Sequence, residues 1–190
     1  MTGQHHVVCG TAAYVAVSAC TPALMRPDGF GLVLGVAGAV LGSLLPDIDT
    51  PDSIIGRYVH LPLEHRTWTH AIWIPALLLV AAIICTGLLC PLLWGLAIGY
   101  FAHLLADAVG RAGICWLYPL SKYKHYDSGA FIARGHHIKL YHNGELDELL
   151  VVLAVVAICA VVWWLTGEPA RWLGLASTSF DEVQRIPVVL

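Results

Sequence analysis

The chain has 190 residues, 58% of them hydrophobic and 12% charged, a net charge of −3 and a mean hydropathy of +0.73. A soluble domain carries roughly 25% charged residues, so this composition excludes an ordinary water-soluble globule. It equally excludes a disordered chain, which needs low hydrophobicity and high charge, and a nucleic-acid module built on a large basic surface. What remains is an all-α polytopic membrane bundle, one domain over residues 1–190, with ten histidines against four phenylalanines to be explained.

A membrane span needs about 20 mostly apolar residues. Taken in chain order, the first apolar segment covers residues 7–23 and follows His5 and His6. No Lys or Arg precedes it, so it does not read as a cleavable signal. The second covers 30–45, and its Gly31-x3-Gly35 and Gly38-x3-Gly42 spacings let helices approach closely. We read them as packing within the bundle, not as a dimer signal. A polar stretch over 46–69 follows. The third segment covers 70–89, with Pro75 expected to kink it. The fourth covers 91–109, with Pro91 opening it where a missing N–H costs nothing. After a second polar stretch, 110–148, the fifth covers 149–165. Four to five transmembrane helices are therefore expected, the first, second and fifth being short for a full span.

Lys and Arg favour the cytoplasmic side of a bacterial inner membrane. Placing the N-terminus there puts Arg57, Arg66, Arg111, Lys122, Lys124, Arg134 and Lys139 inside and Arg26, Arg171 and Arg185 outside. The six cysteines form no CxxC pair. Cys20, Cys85 and Cys90 fall near the outer face, where a disulfide is conceivable, although spacing alone does not establish its geometry.

On this topology the ionisable residues gather at one face. His5 and His6 open the first helix. Asp47 and Asp49, in Leu45-Pro46-Asp47-Ile48-Asp49, close the second. His65, Arg66 and His70 precede the third, His103 and Asp107 close the fourth, and Glu145, Asp147 and Glu148 open the fifth. Ionisable groups near hydrocarbon are costly; they usually face the bundle interior, pair, or mark function. His103 and Asp107 share a helix face one turn apart. Asp47 and Asp49 would point the same way in an extended segment, and Asp49 could also cap the turn at Thr50-Pro51-Asp52. His65 and His70 need a bend between them to reach one ion. Singly, each has a bland reading as a cap, an interfacial histidine or a structural pair. His60, His125, His136, His137 and His142 read as solvated interfacial residues.

As a set, His6, Asp47, Asp49, His65, His70, His103 and Asp107, with Glu148 as a further candidate, point to a metal site. Imidazole with carboxylate suits Zn, Mn or Fe(II). The set exceeds the three protein ligands of one catalytic zinc, so one or two divalent ions are expected. Arg66 could stabilise a developing anion or bind a phosphate, and Asp49 and Glu148 are the candidate catalytic carboxylates. A site at the cytoplasmic interface could be reached by a membrane lipid or by an ester or phosphoester substrate. No GxSxG or glycine-rich phosphate loop is present, and no nucleic-acid partner is expected.

These motifs resemble those of bacterial inner-membrane proteins of the YdjM type, described as metal-dependent hydrolases. The family pattern is an N-terminal His, then LPDID, HRxxTH and GYxxHxxxD. Here it reads Gln4-His5-His6, the segment from Leu45 to Asp49, the segment His65-Arg66-Thr67-Trp68-Thr69-His70, and the segment from Gly99 to Asp107. The likeness runs on through Gly113-Ile114-Cys115-Trp116-Leu117-Tyr118-Pro119 and weakly to Gly144 and Glu148. Departures are Thr50 where the family often has His, Thr67 where it often has Gly, and Val109 where it often has Thr. The resemblance implies a metal-dependent hydrolase. The residues alone leave open a non-catalytic metal-binding membrane protein, or a transporter of metal or protons.

Overall fold

The computed structural model describes residues 2–20, 29–59, 61–109, 113–120 and 145–166. Among the described residues the chain forms five α-helices and no strand. We label them α1 (Gly3–Cys20), α2 (Gly29–Leu44), α3 (Trp73–Ile84), α4 (Leu89–Val109) and α5 (Glu145–Leu165). Two 3-10 turns, Leu45–Asp49 and Trp68–His70, lie between α2 and α3. His60, Arg111, His125, His136, His137 and His142, and the side chains of Glu145 and Asp147, lie outside the described residues.

Helix α4 is the centre of the bundle and packs against α1, α2 and α3, while α5 lies on α1. The densest seam is α2 on α4. In a membrane, helices gain little from the hydrophobic effect and associate through close packing. The sequence supplies that closeness with glycine. A Cβ at Gly38 would stand 2.3 Å from the Leu92 carbonyl oxygen, and one at Gly42 would stand 2.3 Å from that of Leu96. The seam is reciprocal, because a Cβ at Gly99 would stand 2.2 Å from the Ala39 carbonyl oxygen. The second segment's glycines therefore serve contacts inside the chain. Two small cores flank the seam. Tyr14, Ala39, Ala82 and Trp94 form one, and Tyr100, Leu104, Ala108 and Ile114 the other.

Among the described residues, three helices, over Gly29–Asp49 (counting its 3-10 turn), Leu89–Val109 and Glu148–Leu165, are long and apolar enough to cross a membrane. The third apolar segment differs from expectation. Its helix, α3, has only 12 residues, a rise of about 18 Å against a hydrocarbon core of about 30 Å. Residues 70–72 are drawn out of the helix by the turn at Trp68–His70 and by the Ile72 N–H, which donates to the Trp116 carbonyl at 2.9 Å. Pro75 is then in the first turn, where its N–H would have no intrahelical acceptor, and there is no reason for a kink. Pro91 is likewise in the first turn of α4, two residues after Leu89. All six cysteines are free, including Cys20, Cys85 and Cys90.

Helix α2 stops at Leu44 because Pro46 has no N–H to donate and would clash with the preceding turn. The chain tightens there into the Leu45–Asp49 turn. The extended geometry expected for Asp47 and Asp49 is absent. At about three residues per turn, the two side chains point in different directions and meet different partners.

A candidate metal centre

Four helices and turns deliver the polar groups to one end of the bundle. The turn after α2 carries Asp47 and Asp49, the Trp68–His70 turn carries His70, α4 carries His103 and Asp107, and α1 carries His6. Asp47, His70, His103 and Asp107 each offer a ligand atom within 4.8 Å of the others, and Asp49, His65 and His70 form a second such group. His70, His103, His6 and Asp107 are buried, while Asp47 keeps 17% of its side chain exposed.

The hydrogen bonds around the imidazoles set their tautomers. His103 Nδ1 donates to the Ser43 carbonyl at 2.7 Å. His70 Nδ1 lies 2.9 Å from the Thr69 hydroxyl, which in turn donates to Asp49 at 2.5 Å. Both bonds place the proton on Nδ1 and leave a lone pair on Nε2. Burial also pushes the His70 imidazole below the ordinary histidine range, favouring this neutral form.

Those two Nε2 atoms are buried and have no hydrogen-bond partner among the described residues. Each faces carboxylate oxygens instead. His70 Nε2 is 3.4 Å from Asp107 and 3.8 Å from Asp47; His103 Nε2 is 3.5 Å from Asp47 and 3.7 Å from Asp107. These separations are long for a charge-assisted hydrogen bond. The two shorter ones, 3.4 and 3.5 Å, match a coordination shell. Ligands about 2.0–2.2 Å from one tetrahedral ion stand about 3.3–3.6 Å apart. Lone pairs facing carboxylates in a buried space are mutually repulsive unless a cation or protons lie between them. The buried His/Asp cluster could therefore bind a metal ion, and its donors fit one.

His6 joins from α1. Its ring stacks on His103 with centroids 3.7 Å apart, and its Nε2 is 3.4 Å from the second oxygen of Asp107. Arg66 lies on the other side of Asp107 at 3.5 Å and donates to the Gly113 carbonyl at 3.3 Å. Arg66 supplies the bend that His65 and His70 require, with a left-handed φ of 65°. That conformation is uncommon for a residue other than glycine.

The second group differs in kind. His65 donates directly to Asp49 at 2.7 Å, and Thr50 and Thr69 donate to the same carboxylate. The Asp49 oxygens are thus engaged in holding His65 and, through Thr69, His70. Asp49 does not cap the following turn as the sequence suggested, because its carboxylate is turned inward to these partners. Glu148 is placed elsewhere. Its carboxylate takes the Thr2 N–H at 3.1 Å and lies 3.0 Å from His5 Nδ1, pinning the start of α1 to α5. Neither group contains it.

Three supporting residues were missed from sequence. Ser43 acts through its backbone carbonyl, which leaves no side-chain signal. Thr69 sits next to His70 and was a readable signal. Tyr100 donates its buried hydroxyl to the Thr69 carbonyl, fixing the turn that carries His70.

A cavity of about 340 Å³ opens beside the cluster, lined by His6, Asp47, His65, Arg66, Asp107 and the loop that carries Asp52 and Ser53.

A family model described as YdjM inner membrane protein matches residues 1–176. The chain is 33% identical over 132 residues to the inner membrane protein YdjM of Escherichia coli (strain K12), covering 63% of this chain and 66% of that relative. The YdjM protein of Shigella flexneri gives the same figures. The uncharacterised protein YvsG of Bacillus subtilis (strain 168) is 33% identical over 126 residues, covering 63% of this chain and 74% of that relative. The chain thus spans 66% of the length of the YdjM relatives. No solved structure matches it.

Proposed function

From the premise that the chain belongs to the YdjM inner membrane protein family, we propose that it is an integral-membrane, metal-dependent hydrolase. It would hold a divalent cation between Asp47, His70, His103 and Asp107 and cleave an ester or phosphoester at the cytoplasmic face of the membrane. The observation that carries this reading is the pair of partnerless Nε2 atoms facing two carboxylates at coordination spacing.

Zn, Mn and Fe(II) all suit this donor set. When bound, such an ion supplies Lewis acidity and lowers the pKa of water. The chain's own residues do the rest. His70 and His103 present fixed lone pairs, because Thr69 and Ser43 hold their other nitrogens. Asp49 and His65 position His70. Asp47 is the most exposed member of the group and reaches the cavity, where it would orient the attacking water. Arg66 lines the same cavity and would meet negative charge developing on the substrate. Hydrolysis adds water across the ester bond, the acyl or phosphoryl group keeping the hydroxyl and the leaving oxygen taking the proton. The distribution of Lys and Arg supports a cytoplasmic N-terminus, with a membrane lipid as one source of substrate.

The test is elemental analysis of protein purified in detergent, wild type against His103→Ala and Asp47→Ala. We expect about one divalent ion per wild-type chain and a marked loss in both variants; a metal-free wild type refutes the reading. The near-complete burial of His70 and His103 favours a second reading, in which the ion is structural and the protein is not an enzyme. Metal-loaded protein that turns over no carboxyl ester or phosphoester would establish that one.

A further inference from the structure

The cavity beside the cluster carries unmet hydrogen-bonding capacity. Arg66 Nε and His6 Nδ1 are both buried, both without a partner among the described residues, and both belong to side chains that line it. His6 is 1% exposed and has its other nitrogen toward Asp107. Buried N–H groups are nearly always satisfied; His6 carries its proton on the nitrogen that faces Asp107, so the open donor is the Arg66 Nε–H, and it points to an acceptor that is brought in. Arg66 is held there by an unusual backbone. Its φ of 65° turns the guanidinium between Asp107 and the Gly113 carbonyl. Such conformations persist where surrounding structure over-determines them and cluster at ligand sites.

We infer that the cavity receives a phosphate group, bound by Arg66 on the side of the ligand cluster that faces Ser53 and Thr50. This deepens the hydrolase reading and rests on it. The shape of the acceptor decides between substrate classes. A carboxyl ester offers one carbonyl oxygen with appreciable acceptor strength. A phosphate monoester offers three non-bridging oxygens, tetrahedrally spread and anionic. That is enough to meet the guanidinium and the centre at once. Guanidinium is also the cation whose planar fork suits phosphate. The same chemistry could come from a lipid headgroup or from a soluble phosphoester.

The experiment uses full-length protein in detergent, loaded with Mn²⁺ and titrated calorimetrically with inorganic phosphate, with acetate as the control anion. The variants are Arg66→Asn and Arg66→Lys. Asparagine tolerates the left-handed backbone, so Arg66→Asn removes the guanidinium without adding strain, and manganese content checks that the centre is intact. We expect phosphate but not acetate to bind wild type. Binding should weaken at least tenfold in Arg66→Asn and less in Arg66→Lys, with manganese retained in both. Equal phosphate binding by Arg66→Asn, or a manganese-loaded wild type that ignores phosphate, overturns this inference and leaves the metal centre standing. A wild type that holds no manganese or other divalent ion overturns both. Two further titrations separate the sources, glycerol 3-phosphate against dihexanoyl phosphatidic acid. Tighter binding of the second assigns a lipid headgroup, and equal binding assigns a soluble ester; either supports the phosphate assignment.

Discussion

Gly42→Ala tests whether the glycine seam sets the geometry of the candidate centre. The new Cβ would lie 2.3 Å from the Leu96 carbonyl oxygen, 2.9 Å from the Tyr100 nitrogen and 3.0 Å from the Leu96 carbonyl carbon. All three are backbone atoms of α4, so no side chain can swing away. Restoring an ordinary contact of about 3.4 Å requires α2 and α4 to part locally by about 1 Å. Overpacking of this kind costs about 1–3 kcal/mol. The consequence for the centre is larger, because Ser43, the next residue, orients His103 through a 2.7 Å hydrogen bond. Asp47 lies one turn further on, 3.5 Å from His103. Parting the helices by about 1 Å would break that hydrogen bond and detach one ligand, lowering metal affinity about 10–100-fold. The assay is thermal unfolding in detergent, read together with metal content. Gly29→Ala is the control, since nothing lies within 4 Å of a Cβ there. Native unfolding temperature and full metal content in Gly42→Ala would refute the claim that this seam positions the ligands.

Asp49→Asn should reduce metal affinity about 10–100-fold without abolishing binding, because it loosens His65 and Thr69 and leaves the four-residue group in place; complete loss of metal by competition titration would make Asp49 a ligand. Tyr100→Phe leaves the buried Thr69 carbonyl without its donor, and should cost about 1–3 kcal/mol in denaturant unfolding. Glu148→Gln should leave metal content unchanged, since its partners are Thr2 and His5; a fall in metal content would return Glu148 to the centre. Fluorescent-protein fusion at the N-terminus should give a fluorescent cell envelope, and a dark fusion with a folded membrane domain would reverse the assigned orientation.

Composition and hydrophobic run length determined that the chain is a helical membrane bundle, because a 12% charged chain has too little polar surface to cover a soluble core. Repeated spacing determined that the glycines lie in a helix–helix contact. The placement of His and Asp at segment ends determined that they share one face, because helix ends in a membrane lie at common depths. The sequence also carried the motif order that matches the family. It did not reveal that the third segment is shortened to 12 residues, since the cause is a hydrogen bond from Ile72 to Trp116, far along the chain.

Only the tertiary structure separated the acidic and imidazole groups into three roles. His70 and His103 turn open lone pairs toward Asp47 and Asp107, Asp49 and His65 hold the turn that carries His70, and Glu148 ties α1 to α5. In sequence the carboxylates among these residues are chemically equivalent, because a carboxylate's role depends on which donors reach its oxygens. That is decided by the angle between helices and by the tightness of a turn after Pro46. Neither is written in residue type or spacing; both emerge when the α2–α4 seam closes and fixes where each side chain ends.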